Sequence, residues 1–200
     1  MFCSIAISGR GVSMNARPEA RSLPVRYGAP ARWLHWLMAF LIAVQLPVGA
    51  IMSYRGNILD LWNATTDFLY SAHKLLGSVL LILVVVRFLV RMIVVSPPPE
   101  PGLARWQVLV ASANHAGLYL LLLIVPVLGW LGASLFPALD VFGVISLPPI
   151  SGADRAASDT VFLLHGLAAL LLTGLIFLHV GAALFHRFVR RDGVLRRMWG

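Results

Sequence analysis

At 200 residues the chain suits one domain, but 59% of it is hydrophobic and only 12% is charged, which excludes an ordinary soluble globule. The net charge of +8 comes from basic residues grouped beside apolar stretches, without interleaved stacking aromatics; this speaks against nucleic acid and for anionic lipid. The single cysteine, Cys3, rules out disulfides within the chain, cysteine-held iron–sulfur clusters and Cys-x-x-Cys-His haem attachment.

Residues 1–25 lack a signal peptide's apolar core and cleavage site, and are expected to form an N-terminal cytoplasmic tail, with Met14 as an alternative start. Residues 26–200 form the expected transmembrane domain, with apolar spans at about 33–54, 69–92, 108–136 and 161–188. The first span opens at Arg32-Trp33, carries His35 near its start, and has Pro47 and Gly49 in its far half. A short loop leads to the second span, which begins with His73-Lys74 and ends at Arg87 and Arg91. The segment SPPPEPG then separates spans two and three. Span three carries His115 near its start, and Pro126 with Gly129 near its end, where a kink is expected. The longest connection, about 137–160, contains LPPISGAD and is read as a loop. Span four holds His165 and His179 and runs into His186 and Arg187. No internal repeat is visible, and short connections predict an up-and-down four-helix bundle, all-α and transmembrane.

Basic residues set the orientation. Arg10, Arg17, Arg21, Arg26 and Arg32 precede span one, and Arg187, Arg190, Arg191, Arg196 and Arg197 lie at or beyond the end of span four. Arg87, Arg91 and Arg105 flank the second connection, whereas Arg55, Lys74 and Arg155 share the opposite side with five aspartates. The positive-inside rule puts both termini and the second loop on the cytoplasmic side, with loops one and three outside.

Histidines in hydrocarbon need a reason to be there. His165 and His179 are fourteen residues apart on one helix, a rotation of about −40° and a rise of roughly 21 Å, so they share a face at two depths. Depth pairs His35 with His179 on the inner side and His73 with His165 on the outer side. Two imidazoles from different helices can hold a haem iron, so the pattern predicts two b-type haems. A di-metal site would want carboxylates at one level, and the span interiors contain no Asp or Glu, which also argues against a proton-relay transporter. Fourteen residues beyond His73 lies Arg87, suited to a haem propionate; fourteen beyond His35 lies Gly49, which with Gly77 leaves room for a flat macrocycle.

The stretches RYGAPARWLHWLMA, SAHKLLGSVLLILVVVRFLVR, NHAGLYLLLLIVPVLGWL and FLLHGLAALLLTGLIFLHVGAALFHRFVRRDGVLRRM resemble the bacterial cytochrome b561 family. That family comprises four-span di-haem membrane proteins and includes superoxide oxidase. The resemblance implies that His35, His73, His165 and His179 are axial haem-iron ligands, that ubiquinone is the acceptor, and that superoxide is the first choice of donor. His115 and His186, with Arg187 and Arg32, are read as a quinone site beside the inner haem; the plainer reading gives His115 a helix–helix or propionate hydrogen bond and His186 a place at the interface. Lys74 is the candidate attractor of superoxide, against the plainer reading of a snorkelling lysine. The alternative activity is that of a membrane-anchoring cytochrome b subunit, taking electrons from a docked dehydrogenase or hydrogenase partner.

Overall fold

The computed structural model describes residues 26–94, 97–98, 100 and 102–199; the expected N-terminal tail, 1–25, lies outside the described residues. Four long helices dominate it: α1 (Ala29–Ser53), α2 (Ala64–Ile93), α3 (Arg105–Leu135) and α4 (Arg155–Phe185), with a short α5 (Arg196–Trp199). All four are long and apolar enough to cross a membrane. Wide π-turns, Tyr54–Ile58 and His186–Arg190, follow α1 and α4.

Each long helix starts several residues before its apolar run, and in α2 and α4 polar caps add a first turn outside hydrocarbon. The Asn63 side chain accepts from Thr66 N–H at 3.2 Å, and Asp154 accepts from Ala157 N–H at 3.0 Å. Each cap contributes about 1 kcal/mol. Pro30 supplies the first turn of α1, where a missing N–H costs nothing. At α3, Gln107 Oε1 reaches back to accept the Ala104 N–H at 3.0 Å.

The helices pack in chain order, α1 on α2, α2 on α3, and α3 most closely on α4. Glycines allow the last approach: a Cβ on Gly117 would fall 2.7 Å from Leu175, and one on Gly132 would fall 2.7 Å from Phe162. A small apolar core of Met38, Leu80 and Val84 joins α1 to α2, with Tyr119 and Leu122 of α3 packed on it. Large apolar side chains such as Phe40, Ile82, Leu109, Leu170 and Phe177 point outward, as they do on a surface solvated by lipid. Between α4 and either α1 or α2 the backbones stay further apart, and imidazoles meet across both gaps.

The connection from α3 to α4 is more ordered than the loop expected from sequence. It contains a two-stranded hairpin, β1 (Asp140–Val141) paired antiparallel with β2 (Ile145–Ser146). Phe142 and Gly143 turn it with φ of 57° and 69°. Val141 is fully buried, and the hairpin docks on the start of α2. There Phe142 N–H donates to Ser71 Oγ at 3.0 Å, and Lys74 Nζ donates to the carbonyls of Ala138 and Asp140. This end is the hairpin end. The opposite end, where Tyr27 N–H bonds Arg197 C=O at 3.2 Å, is the terminal end.

Candidate haem site

At the hairpin end, α2 and α4 bring His73 and His165 together, with ring centres 6.1 Å apart and planes at 86°. His165 is held by α3: its Nδ1 lies 2.9 Å from the Val125 carbonyl, so that nitrogen carries the proton and donates. Its Nε2 is thereby left as the acceptor nitrogen. The approach works because the residue one turn beyond Val125 is Gly129, whose Cβ would fall 3.1 Å from Cε1 of His165. His73 leans on α1 in the same manner. A Cβ on Gly49 would fall 2.8 Å from its Cε1, so the space at Gly49 is taken by an imidazole. One turn earlier, Gln45 Nε2 donates to the His73 main-chain carbonyl at 3.0 Å and lies over Gly77.

At the terminal end, α1 and α4 bring His35 and His179 together, again 6.1 Å between centres, with planes at 76°. The surroundings differ. His115 of α3 sits edge-on to His179 at 5.2 Å, and Arg87 of α2 reaches His35. Arg87 Nη2 lies 3.3 Å from His35 Nδ1 while Nη1 donates to the Ala31 carbonyl at 3.0 Å. An arginine only donates, so Nδ1 of His35 accepts here and the ring proton resides on Nε2. For Nε2 to bind a metal, Arg87 must release Nδ1, which leaves its guanidinium free beside the pair.

The other predicted residues are dispersed. Arg32 lines an open cleft of about 320 Å³ with Trp33, Trp36, Met198 and Trp199. Trp36 is also edge-on to His35, at 5.2 Å. Arg187 is exposed. His186 is bonded to Asp192, its Nδ1 lying 2.6 Å from Oδ2. Lys74 is tied to the hairpin carbonyls described above, and Arg155 lies 4.5 Å over the Phe136 ring. Sequence reasoning missed Asp192, Gln45 and the glycine under His165, because each contact is made across a turn or between helices. The only available signal was the glycine or proline near each of them.

The residues fit a haem on two counts. An iron bound by two imidazoles sets their centres about 6 Å apart, given metal–nitrogen bonds of about 2 Å, and both pairs have that spacing. The wider gaps between α4 and its partners suit a large flat group, whose ligands come from facing helices.

A four-span bundle with facing imidazoles at two depths is the architecture of a membrane cytochrome. The family model for prokaryotic cytochrome b561 matches residues 26–200. The chain belongs to that family: it is a multi-pass bacterial electron-transfer membrane protein, and its family implies b-type haem binding. It is 32% identical over 178 residues to "Cytochrome b561 homolog 2" of Escherichia coli, covering 88% of this chain and 93% of the relative. It is 27% identical over 168 residues to "Probable superoxide oxidase CybB" of Yersinia pestis, covering 82% and 90%. A third relative, "Cytochrome b561 homolog 1" of Escherichia coli, is 25% identical over 177 residues, covering 86% and 96%.

Proposed function

We propose that this protein holds two b-type haems, one between His73 and His165 and one between His35 and His179, and carries single electrons across the bacterial inner membrane to ubiquinone. The observation that carries this reading is the repeated 6.1 Å spacing of paired imidazoles, with one partner of each pair on α4. When bound, the haems supply one-electron redox chemistry at two depths. The chain's own residues do the rest. Val125 fixes the tautomer of His165, Gly49 and Gly129 admit the rings, and Arg87 supplies a cation at the terminal pair. The grouping of arginines at the terminal end supports the reading that this end faces the cytoplasm.

Superoxide is the donor this reading favours, by likeness to the Yersinia pestis relative. Two superoxide anions give two electrons and leave as two molecules of oxygen; ubiquinone takes the electrons with two protons and becomes ubiquinol. Lys74 then serves the donor end indirectly, since its ammonium fastens the hairpin over the start of α2.

The test begins with purified protein. Two haems per chain with bis-imidazole bands are expected, and His73→Ala is expected to retain one. A spectrum without such bands, or an unchanged haem count in His73→Ala, would sink the di-haem reading. Superoxide-driven reduction of a ubiquinone analogue by the isolated protein tests donor and acceptor. Failure there, with a large soluble protein co-purifying, would favour the membrane-anchor activity instead.

A further inference from the structure

The turn after α4 carries a pair that the electron path does not use. α4 ends at Phe185, the π-turn His186–Arg190 follows, and Arg191 reverses the chain with φ 55° and ψ 34°. The reversal lands Asp192 on His186: its N–H donates to the His186 carbonyl at 3.2 Å, and its Oδ2 lies 2.6 Å from Nδ1. Oδ1 accepts from Val194 N–H at 3.1 Å, and Arg190 Nε stands 3.5 Å from Oδ2. Both side chains of the pair are mostly buried, 16% and 15% exposed. Nε2 of His186 makes no hydrogen bond with any described residue. Seven residues separate His179 from His186, a turn of about −20° and a rise of roughly 10 Å. His186 therefore continues the face of α4 that presents His179, further towards the terminal end.

We infer that Asp192 is a positioning residue for proton delivery, holding His186 with Nδ1–H on its carboxylate so that Nε2 takes up and hands on protons at the terminal end. This rests on the proposed reduction of a quinone. The 2.6 Å bond to the carboxylate fixes the tautomer and the orientation of the ring. The step balances. His186 takes a proton on Nε2 from water at that face; the Nε2–H bond then breaks as an O–H bond forms on a quinone oxygen. Two such transfers accompany the two electrons that arrive singly, and the ring returns to its neutral form each time. Burial by itself would raise the Asp192 carboxyl, but hydrogen bonds from His186 and Val194 N–H and the charges of His186 and Arg190 outweigh it, holding it below the usual carboxylate range. It is therefore an anion at neutral pH.

Few other charges bear on the pair. Arg190 is shared with Gln107 Oε1 of α3 at 3.2 Å and the Gly102 carbonyl at 3.3 Å. From the segment between α2 and α3 comes Glu100, which is engaged by Arg197 at 2.5 Å and by Gly193 N–H at 3.4 Å. Arg187, on the same turn, is exposed.

The test compares holoprotein carrying Asp192→Asn, Asp192→Glu or His186→Gln with the wild type. A ubiquinone analogue serves as two-proton acceptor, and ferricyanide as an acceptor that needs no proton. Asp192→Asn is expected to slow quinone reduction between about ten- and a hundredfold, and to leave ferricyanide reduction and haem content unchanged. His186→Gln is expected to match it, the double variant to be no worse, and Asp192→Glu to recover part of the rate. A wild-type rate of quinone reduction in Asp192→Asn, or an equal loss with both acceptors, overturns the inference and leaves the proposed function standing. A wild-type protein that reduces ferricyanide but no quinone overturns both.

Discussion

The two histidine pairs have the same spacing and are built from different materials. At the hairpin end the rings are set by backbone: a carbonyl on Nδ1 of His165, and glycines beneath both rings. At the terminal end they are set by side chains: an arginine on His35 and a third imidazole on His179. A carbonyl leaves Nε2 free to bind iron in the resting tautomer, whereas the arginine contact puts the proton of His35 on Nε2. His165 is thus prearranged for a metal, whereas Nδ1 of its partner His73 is buried without a hydrogen-bond partner among the described residues, and His35 must first exchange one hydrogen bond. Backbone gives a fixed environment; side chains give one that responds to charge and protons. That division suits the proposed quinone reduction at the terminal end.

The contrast can be broken most severely at the glycines. Gly49→Ala places a Cβ 2.8 Å from the His73 ring, with α1 backbone on one side and the facing pair on the other. The expected cost is roughly 1–3 kcal/mol of overpacking, read as loss of haem from the hairpin-end pair while the terminal-end pair keeps its own. Gly129→Ala, at 3.1 Å, is expected to act in the same direction and less strongly. Equal haem loss from both ends in either variant would remove the distinction. Arg87→Gln addresses the other end. Removing a cation disfavours the reduced state, so redox titration is expected to show a lower potential for the terminal-end haem alone, with two haems retained. An equal shift at both ends would show that Arg87 acts at long range.

The smallest effect concerns acid. Asp192 titrates below the usual carboxylate range in the folded chain, so its contribution to docking residues 192–199 is complete above that range. It is lost as pH falls through the folded-state value. Hydrogen exchange, corrected for intrinsic rates, is expected to show the Val194 amide opening in acid while the Phe142 amide, bonded to the Ser71 hydroxyl, stays protected. Protection of both through that range would mean that Asp192 does not hold the tail.

Much of this was legible in the sequence, for a physical reason. Apolar length marks a span directly, and helical rise converts residue number into depth, so His35 meets His179 and His73 meets His165 without any knowledge of side-chain packing. Arg87 likewise reaches the other pair because fourteen residues carry it there. Helix starts were less legible, since Asn63 and Asp154 extend α2 and α4 by capping groups outside the apolar window. The hairpin escaped because its two-residue strands are too short for any alternation to register. Asp192 escaped because its contact with His186 depends on one left-handed residue, Arg191, a conformation that sequence rarely announces for an arginine.

The division of the paired histidines between helices has a bearing on biogenesis. His35 and His73 belong to the first two spans to leave the ribosome, and both of their partners belong to the last. Neither pair exists until α4 has been synthesised and inserted against α3. On the proposed di-haem reading, a chain truncated before α4 lacks the second imidazole of both sites, so cofactor loading follows completion of the chain. A one-residue slip of α4 would misalign both pairs at once, because one helix carries a histidine of each.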